Sequence, residues 1–289
     1  MQKFWNRLTG KKKEEPVRPV ISDVKTAPLT ADQLNAVSIQ NSPKLQPPQL
    51  MVGIGQSIGK LRDHNEDSLF VLNATISGEK EGDPFGIFII ADGMGGHQHG
   101  EAASDAAARA MANYLVNKLD QPLFGLHPEV QSEPLQDILQ AGVQEAQESV
   151  IRKAPGGGTT LTAALLVGEQ VTFAHVGDSR AYLFFPDGRV QQATRDHSLV
   201  WRLQELGQIT EEEAAVHPQR NVLYRAVGQG DPFEPDILTH PFPRPGWLMM
   251  CSDGLWGQVA EHEMLRIILS APNPNTACQQ LVAAANDAG

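Results

Sequence analysis

The sequence predicts an α+β fold in which antiparallel β-sheets are covered by helices. Short strand-like runs follow one another in groups, and long amphipathic segments form groups of their own, whereas strict alternation would favour a parallel sheet. The chain has 289 residues, of which 41% are hydrophobic and 20% charged. This composition supplies a sizeable core and excludes wholesale disorder.

Runs of apolar residues, either continuous or alternating with polar ones, predict the β-strands. The predicted strands are residues 52–58, 68–73, 86–91, 160–167, 171–176, 181–185, 189–193 and 247–251. Pro186, Asp187 and Gly188 separate two of them, and this tripeptide is typical of a tight hairpin turn. Strands joined by so short a connection pair antiparallel.

Segments with apolar residues three or four positions apart predict the helices. The predicted helices are residues 101–119, 134–152, 199–206, 262–269 and 276–287. Two of them follow the first three strands, and two follow the last one. This grouping favours helices packed on the outside of antiparallel sheets.

Charge and cysteine content exclude several classes of protein. The chain carries 23 Lys and Arg against 34 Asp and Glu, a net charge of −11, which leaves no basic surplus for general nucleic-acid binding. Cys251 and Cys278 are its two cysteines, too few for a disulfide scaffold or a four-cysteine zinc site. No apolar run reaches the roughly 18 to 20 residues of a membrane span, and the first residues lack the apolar centre of a secretion signal. We therefore expect a cytoplasmic protein.

The first fifty residues differ from the rest of the chain. Residues 1–20 contain Lys3, Arg7, Lys11, Lys12, Lys13 and Arg18 against Glu14 and Glu15. Prolines then interrupt the sequence up to Pro48, and no apolar period is sustained there. The sequence predicts a basic, proline-containing flexible tail at residues 1–49 and a folded domain at residues 50–289.

Acidic residues follow several predicted strands directly. Asp92 ends the run 86–91 and precedes Gly93, Asp178 follows the run 171–176, and Asp253 follows the run 247–251. Asp67 precedes the strand at 68–73. If these carboxylates converge, their mutual repulsion requires cations, and hard oxygen ligands suit Mg²⁺ or Mn²⁺. Two such ions can activate a water molecule and bind a phosphoryl group.

Two other catalytic classes are less consistent with the sequence. The run Gly156-Gly-Gly-Thr-Thr160 lacks the lysine that a phosphate-binding P-loop requires and leads into a predicted strand. A serine hydrolase of the nucleophile-elbow type needs a Gly-x-Ser-x-Gly sequence at the turn between a strand and a helix, and no Gly-x-Ser-x-Gly stands at a predicted strand–helix turn.

The order of the motifs resembles that of a known family. The motifs are Arg62-x-x-Asn65-Glu66-Asp67, Asp92-Gly-Met-Gly-Gly-His97, Gly158-Thr-Thr160, Gly177-Asp-Ser-Arg-Ala-Tyr182, Asp196-His-Ser198 and Ser252-Asp-Gly254. In this order they resemble the metal-dependent protein serine/threonine phosphatases (type 2C, PPM) of the bacterial branch. Residues 203–228 are similar to the helical flap of that branch, and the whole resemblance covers residues 52–289.

The resemblance implies a four-layer α-β-β-α sandwich of two antiparallel sheets flanked by helices. It also implies a binuclear Mn²⁺ or Mg²⁺ centre, with a third ion in bacterial members. Asp92 should bridge two ions, the Gly93 carbonyl should bind one of them, and Asp253 should bind the other. Asp178 should bind the third ion, and Asp67, with Glu66 beside it, should hold metal-bound waters.

The remaining catalytic assignments are also implied by the resemblance. Arg62 should bind the substrate phosphate, because its planar guanidinium matches two phosphate oxygens. Asp67 and Asp92 complete the implied catalytic set. Eukaryotic relatives have a proposed general-acid histidine where this chain has Met94, so the general acid is unassigned, and His64 and His97 are alternatives.

The sequence therefore predicts a phosphatase that removes phosphate from phosphoserine and phosphothreonine in proteins, its partners being phosphorylated targets of a serine/threonine kinase. A catalytically weak phosphoprotein-binding regulator of the same fold is one alternative. A phosphatase of the same superfamily that acts on an anti-sigma-factor antagonist is another.

One departure from the family pattern concerns the end of the sequence. Family members continue with a Gly-x-Asp-Asn element, whose Asp is a metal ligand, and then a final strand. The sequence stops at Gly289, where that element should begin. We expect an incomplete chain that lacks its C-terminal strand and one metal-binding carboxylate.

Overall fold

The computed structural model describes residues 49–60, 62–75, 84–124, 133–230 and 233–289. The predicted tail lies outside them except for its last residue. The strands are β1 (Asp67–Ala74), β2 (Phe85–Met94), β3 (Gly158–Thr159), β4 (Leu161–Val167), β5 (Gln170–Val176), β6 (Arg180–Phe184), β7 (Val190–Gln192), β8 (Asp236–Pro241) and β9 (Trp247–Cys251). The helices are α1 (His97–Phe124), α2 (Leu135–Lys153), α3 (Leu199–Glu205), α4 (Glu211–Ala215), α5 (Asp253–Trp256), α6 (Glu261–Ser270) and α7 (Pro274–Ala288).

The described strands form two antiparallel sheets. The first has the order β1-β2-β4-β5-β8, with the short β3 paired to the end of β2, and the second has the order β7-β6-β9. In the first sheet Asp67 lies opposite Asp92, and Leu161 lies opposite Val176. In the second, Arg180 lies opposite Cys251. The start of β1 and the ends of β2, β5 and β9 therefore meet at one end of the molecule.

Alternating side chains divide the core into three layers of contacts. Along β5, Ala174 and Val176 pack with residues of α1 and α2, whereas Val171 and Phe173 pack with residues of the second sheet. Along β6, Phe184 packs with residues of α6 and α7. Because successive side chains of a strand point to opposite faces, these contacts produce four layers: helices, sheet, sheet and helices. The predicted α-β-β-α sandwich is confirmed.

Most predicted elements are present with small shifts in their bounds, but the predicted strand at 52–58 is wrong. These residues have no regular secondary structure, and no strand of the described residues pairs with them. They contact α7 instead: the Ser57 hydroxyl donates a hydrogen bond to Asn286 Oδ1 at 3.1 Å, and a Cβ at Gly53 would collide with the backbone of Pro274. The residues that face α7 are thus Gly53, Gly55 and Ser57, whereas Ile54 and Ile58 between and after them are about half exposed.

Strand β8 was not predicted. It contains few β-branched or aromatic residues and ends at Pro241, in a proline-rich part of the sequence. It pairs with β5 along six residues, for example Phe173 with Leu238. None of the helices in the described residues is both long and apolar enough to cross a membrane.

Candidate active site

A cavity of about 730 Å³ opens at the end of the sandwich where β1 begins and β2 ends. Carboxylates from both sheets line it: Asp92 near the end of β2, Asp178 two residues after β5, and Asp253 two residues after β9. Arg62 and Glu66, from the segment before β1, form another part of its wall. The convergence of residues that are far apart in sequence follows from the shared end of the strands.

Asp67 lies beside this cavity rather than on its lining. Its carboxyl is a neighbour of the Asp92 carboxyl, because the two residues are opposite each other in the β1–β2 pair. The Ser252 hydroxyl donates a hydrogen bond to Asp67 Oδ2 at 2.8 Å. Since Ser252 directly precedes Asp253, this bond connects the first sheet to the segment after β9.

The backbone of Asp92 is held on both sides by threonines. Its N–H donates to Thr160 Oγ1 at 2.8 Å, and its carbonyl accepts from the Thr160 N–H and the Thr159 hydroxyl, each at 2.9 Å. The Thr160 hydroxyl also lies 2.8 Å from Ser179 Oγ. A buried pair of hydroxyls therefore connects the Asp92 backbone with the residue that follows Asp178.

Gly93 occupies a position that leaves no space for a side chain. A Cβ there would collide with the backbone of Gly100 at the start of α1 and with the Glu66 carbonyl. The Gly93 N–H donates to that same Glu66 carbonyl at 3.1 Å. Glycine thus allows the β2 end, the segment before β1 and α1 to meet at the cavity.

Asp178 is positioned by Gly177, which directly precedes it, and by Trp256. Gly177 has a φ of +107°, a left-handed conformation that glycine adopts readily, and Thr160 occupies the space beside it. The Trp256 indole N–H donates to the Asp178 carbonyl at 3.0 Å. The Arg180 guanidinium stacks over the Trp256 ring at 3.6 Å and binds Asp196 through two nitrogens.

The environment of these carboxyls disfavours their charged form. Burial raises the pKa of Asp92 well above its usual range, and the charges of Asp67, Asp253 and Asp178 raise it further. Burial, followed by the charge of Asp253, raises the pKa of Asp178 to about 7. Burial also raises the pKa of Asp67, against which the hydrogen bond from Ser252 acts. Bound cations would relieve this repulsion.

The donor chemistry fits hard divalent cations. Among the described residues, no three His, Cys, Asp or Glu side chains already surround a single point as the ligands of one ion would. The carboxylates instead form a group of close neighbours, in which Asp92 is influenced by the charges of Asp67, Asp253 and Asp178. Such an oxygen-only set suits Mg²⁺ or Mn²⁺.

Arg62 extends over the opening of the cavity. Its guanidinium donates to Glu66 Oε2 at 2.8 Å, and 59% of its side chain is exposed, against 9% for Glu66. The buried Glu66 carboxylate therefore holds one side of the guanidinium, while the exposed side keeps N–H donors that can bind another anion. His64, one alternative for the general acid, also lines the cavity, whereas the side chain of His97 lies outside the part of the chain that the structure describes.

The structure brings the predicted site residues together. Five of them line the cavity: Arg62, Asp92, Gly93, Asp178 and Asp253. Asp67 does not line the cavity but lies opposite Asp92 in the β1–β2 pair.

Three residues of interest were not predicted as part of the site. Trp256 lies three residues after Asp253, which places it one helical turn away from that carboxylate. Asn221 and Leu223 line the cavity from the flap, residues 203–228. Their contribution could not be found from spacing, because it depends on how the flap folds back over the site.

Comparison with known proteins identifies the family. The model of the family described as protein phosphatase 2C matches residues 59–283. A serine/threonine phosphatase, stp, of Listeria innocua is 37% identical over 237 residues, which cover 80% of this chain and 88% of that protein.

Solved structures agree with this match. The serine/threonine phosphatase PstP/Ppp of Mycobacterium tuberculosis has a TM-score of 0.63 and 30% identity, with 80% of this chain and 89% of that one covered. A structure of the catalytic domain of PstP in complex with two manganese ions has a TM-score of 0.62 and 29% identity, with the same coverage. The relatives are named as enzymes, and the alternative of a catalytically weak regulator finds no support among them. The chain belongs to the protein phosphatase 2C family of metal-dependent serine/threonine phosphatases.

Proposed function

We propose that this protein hydrolyses phosphoserine and phosphothreonine in proteins, using Mn²⁺ or Mg²⁺ held by its strand-end carboxylates. The observation that carries the proposal is the convergence of Asp92, Asp178 and Asp253 on one cavity that Arg62 also lines. The manganese-containing PstP structure supports the choice of metal.

Each carboxylate has a proposed place in the metal centre. Asp92, which has other carboxyls as neighbours, would be a ligand of two ions. The Gly93 carbonyl would be a further ligand of one ion, and Asp253 would be a further ligand of the other. Asp178 would hold a third ion, and Asp67 would bind water that belongs to the centre. When bound, the ions act as Lewis acids that activate water and stabilise charge on the phosphoryl oxygens.

Arg62 would bind and orient the phosphate group. Its planar guanidinium can donate two parallel hydrogen bonds to phosphate oxygens, which fixes the phosphorus relative to the carboxylates. The ion pair with the buried Glu66 carboxylate would hold the guanidinium beside the cavity, with its exposed N–H donors available to the phosphate. Asn221 and Leu223 on the flap side would contact the polypeptide that carries the phosphate.

The decisive experiment measures phosphate released from a phosphothreonine peptide as Mn²⁺ is titrated. The wild-type protein should release phosphate in proportion to bound Mn²⁺ and stop when EDTA is added. Asp92→Asn keeps the shape of the side chain but removes its charge, and it should lower kcat by at least ~100-fold, as loss of a major electrostatic contribution does. The variant should stay folded in EDTA, because one source of carboxylate repulsion is gone.

Near-normal turnover of Asp92→Asn at saturating Mn²⁺ would remove this residue from the centre of the mechanism. A wild-type protein that binds the phosphopeptide but releases no phosphate at any Mn²⁺ concentration would favour the regulator.

The partners and the compartment follow from the same proposal. We propose that the substrates are proteins phosphorylated by a serine/threonine kinase and that the reaction takes place in the cytoplasm. Both cysteines are free, and Cys251 is buried, which is consistent with a reducing compartment. Phosphoproteomes of cells with and without the protein would identify the substrates.

A further inference from the structure

His197 lies between the candidate metal site and the flap without lining the cavity. It is 2% exposed, and it makes two hydrogen bonds to Gly177: its backbone N–H donates to the Gly177 carbonyl at 2.7 Å, and its ring Nδ1 accepts from the Gly177 N–H at 3.2 Å. Because Gly177 directly precedes Asp178, these bonds fix the start of the loop that carries the Asp178 carboxylate.

The other side of His197 contacts the end of the flap. Its carbonyl accepts from the Tyr224 N–H at 3.0 Å, and its Nε2 lies 3.3 Å from Asp236 Oδ2. Asp236 in turn accepts from Arg225 at 2.9 Å. The flap residues that line the cavity, Asn221 and Leu223, come shortly before this contact in the sequence.

The hydrogen-bond partners assign the tautomer of the His197 ring. Nδ1 accepts from an amide, so the proton is on Nε2, where it faces the Asp236 carboxylate. The Arg225 guanidinium also lies 3.3 Å from Nε2, but its shorter bond, at 2.9 Å, goes to Asp236. The ring therefore uses one nitrogen for the Asp178 loop and the other for Asp236, the β8 residue that binds Arg225 of the flap. The neighbouring residue reinforces the flap side, since Ser198 forms a β-bridge with Leu223 and caps α3 by accepting from the Trp201 N–H.

We propose that His197 is a positioning residue that couples the flap to the Asp178 loop, so that Nδ1 controls metal binding and Nε2 controls recognition of the polypeptide substrate. The proposal rests on the proposed function, in which Asp178 holds an ion and the flap contacts the substrate. His197 itself touches neither, because it is buried outside the cavity.

Two substitutions separate the two nitrogens. In His197→Asn the amide oxygen takes the place of Nδ1 and can still accept from Gly177, whereas the contact with Asp236 is lost. In His197→Gln the amide nitrogen takes the place of Nε2 and can still donate to Asp236, whereas the acceptor for Gly177 is lost. One net hydrogen bond corresponds to a factor of about 2 to 10 in an equilibrium constant. Arg189→Gln, at an exposed hairpin turn, is the matched control.

The expected results differ between the two variants. His197→Gln should raise the dissociation constant of Mn²⁺, measured by calorimetry, about 2- to 10-fold. It should also speed hydrogen exchange of the Gly177 amide in the metal-free protein. His197→Asn should leave both values close to wild type and instead raise KM for a phosphothreonine peptide by a similar factor, with KM for p-nitrophenyl phosphate unchanged. Asp236→Asn, which removes the partner of Nε2 from the other side, should behave like His197→Asn.

If His197 had only a structural role, the two substitutions would change the Mn²⁺ dissociation constant and the peptide KM to the same extent. Equal shifts in Mn²⁺ affinity and peptide KM, or a fall in kcat alone, would overturn the proposal. If His197→Asn or His197→Gln does not fold, Asp236→Asn decides the flap side: an unchanged peptide KM in that variant contradicts the coupling. Calorimetry and hydrogen exchange need no turnover, so they test the coupling to Asp178 even if the wild-type protein fails to release phosphate.

Discussion

Arg62 combines a buried partner with exposed donors. Its ion pair with Glu66 is short, at 2.8 Å, and the glutamate side chain is 9% exposed, against 59% for the arginine. The bond uses one guanidinium nitrogen, Nη1, and the planar group has further N–H donors that can bind a phosphate. The residue is therefore suited to bind a substrate phosphate while Glu66 holds it beside the cavity.

We predict that Arg62→Ala raises KM for a phosphopeptide and weakens inhibition by inorganic phosphate about tenfold or more, which corresponds to ~1.4 kcal/mol. Mn²⁺ affinity should stay close to wild type, because a guanidinium does not bind a cation. Arg62→Lys is the informative control. It keeps the charge but loses the paired donors, so its KM should lie between those of wild type and Arg62→Ala. Lost Mn²⁺ binding in Arg62→Ala, with KM unchanged, would contradict the assignment.

The sequence was sufficient to find the strand-end aspartates but not the residues that hold them. Asp92, Asp178 and Asp253 are recognisable because each follows an apolar run, a pattern that depends on neighbours in sequence. The indole N–H of Trp256 reaches the carbonyl of Asp178, 78 positions away. That contact is set by how α5 packs beside the β5–β6 connection, which no local pattern reveals.

At the scale of elements, the short helix α5 carries two functions in four residues. Asp253 begins it and faces the cavity, and Trp256 ends it and binds the Asp178 carbonyl. The helix therefore fixes the relative position of two carboxylates that come from different parts of the chain.

We predict that Trp256→Phe raises the Mn²⁺ concentration needed for half-maximal activity about 2- to 10-fold, the effect of one lost net hydrogen bond. The phenyl ring can still stack on Arg180, so kcat at saturating Mn²⁺ and KM for the peptide should stay near wild type. Trp247→Phe changes a tryptophan in the packing of β9 and should leave the Mn²⁺ requirement unaltered. Equal effects of both substitutions would show that general packing is responsible.

Elements were predicted best where both faces of a strand are buried. The run from Gly86 to Ala91 and the run at 161–167 are nearly continuous in apolar residues because helices cover one face and the second sheet the other. Edges are less clear. Residues 52–58 alternate like a strand but pack on α7, and β8 pairs with β5 despite a sequence with few strand-forming residues.

At the scale of the whole molecule, the buried His175 makes stability depend on pH. Its Nδ1 lies 2.9 Å from Thr162 Oγ1, and its Nε2 lies 2.8 Å from the Arg195 carbonyl. Burial, together with the neighbouring His197, lowers its pKa from 6.5 to about 3, while the hydrogen bond to the Arg195 carbonyl and the charge of Asp236 act in the opposite direction. The folded protein therefore keeps this ring neutral at pH values where the unfolded chain binds a proton.

We predict that this group's contribution to stability is complete above pH 6.5 and is lost as pH falls below it, since protons then bind preferentially to the unfolded chain. Between pH 6.5 and pH 5 the loss amounts to about 1.6 kcal/mol. Urea unfolding of wild type and His175→Gln in EDTA, at both pH values, measures it. Between the two pH values, the free energy of unfolding should fall less in the variant than in wild type, by about this amount. Equal falls in the two proteins would contradict the role of His175.

The predicted boundary near residue 50 can also be tested on the whole molecule. The family match begins at residue 59, and the described residues that line the cavity all lie at Arg62 or beyond. We predict that deletion of residues 1–48 leaves kcat/KM for a short phosphopeptide within a few-fold of wild type. A collapse of activity, with the remaining domain still folded by circular dichroism, would assign the tail a part in catalysis.

The two sheets contribute different carboxylates, and this has a consequence for sequence drift. Asp67 and Asp92 belong to the first sheet, whereas Asp253 follows the second. The distance between them is therefore set by the apolar layer that separates the sheets, where Phe173 packs among residues that include Leu183. A larger or smaller side chain there would displace one sheet against the other and alter the spacing of the carboxylates. In the proposed metal centre, evolution of this interior is thus restricted by the radius of an ion as well as by stability, although Phe173 and Leu183 do not line the cavity.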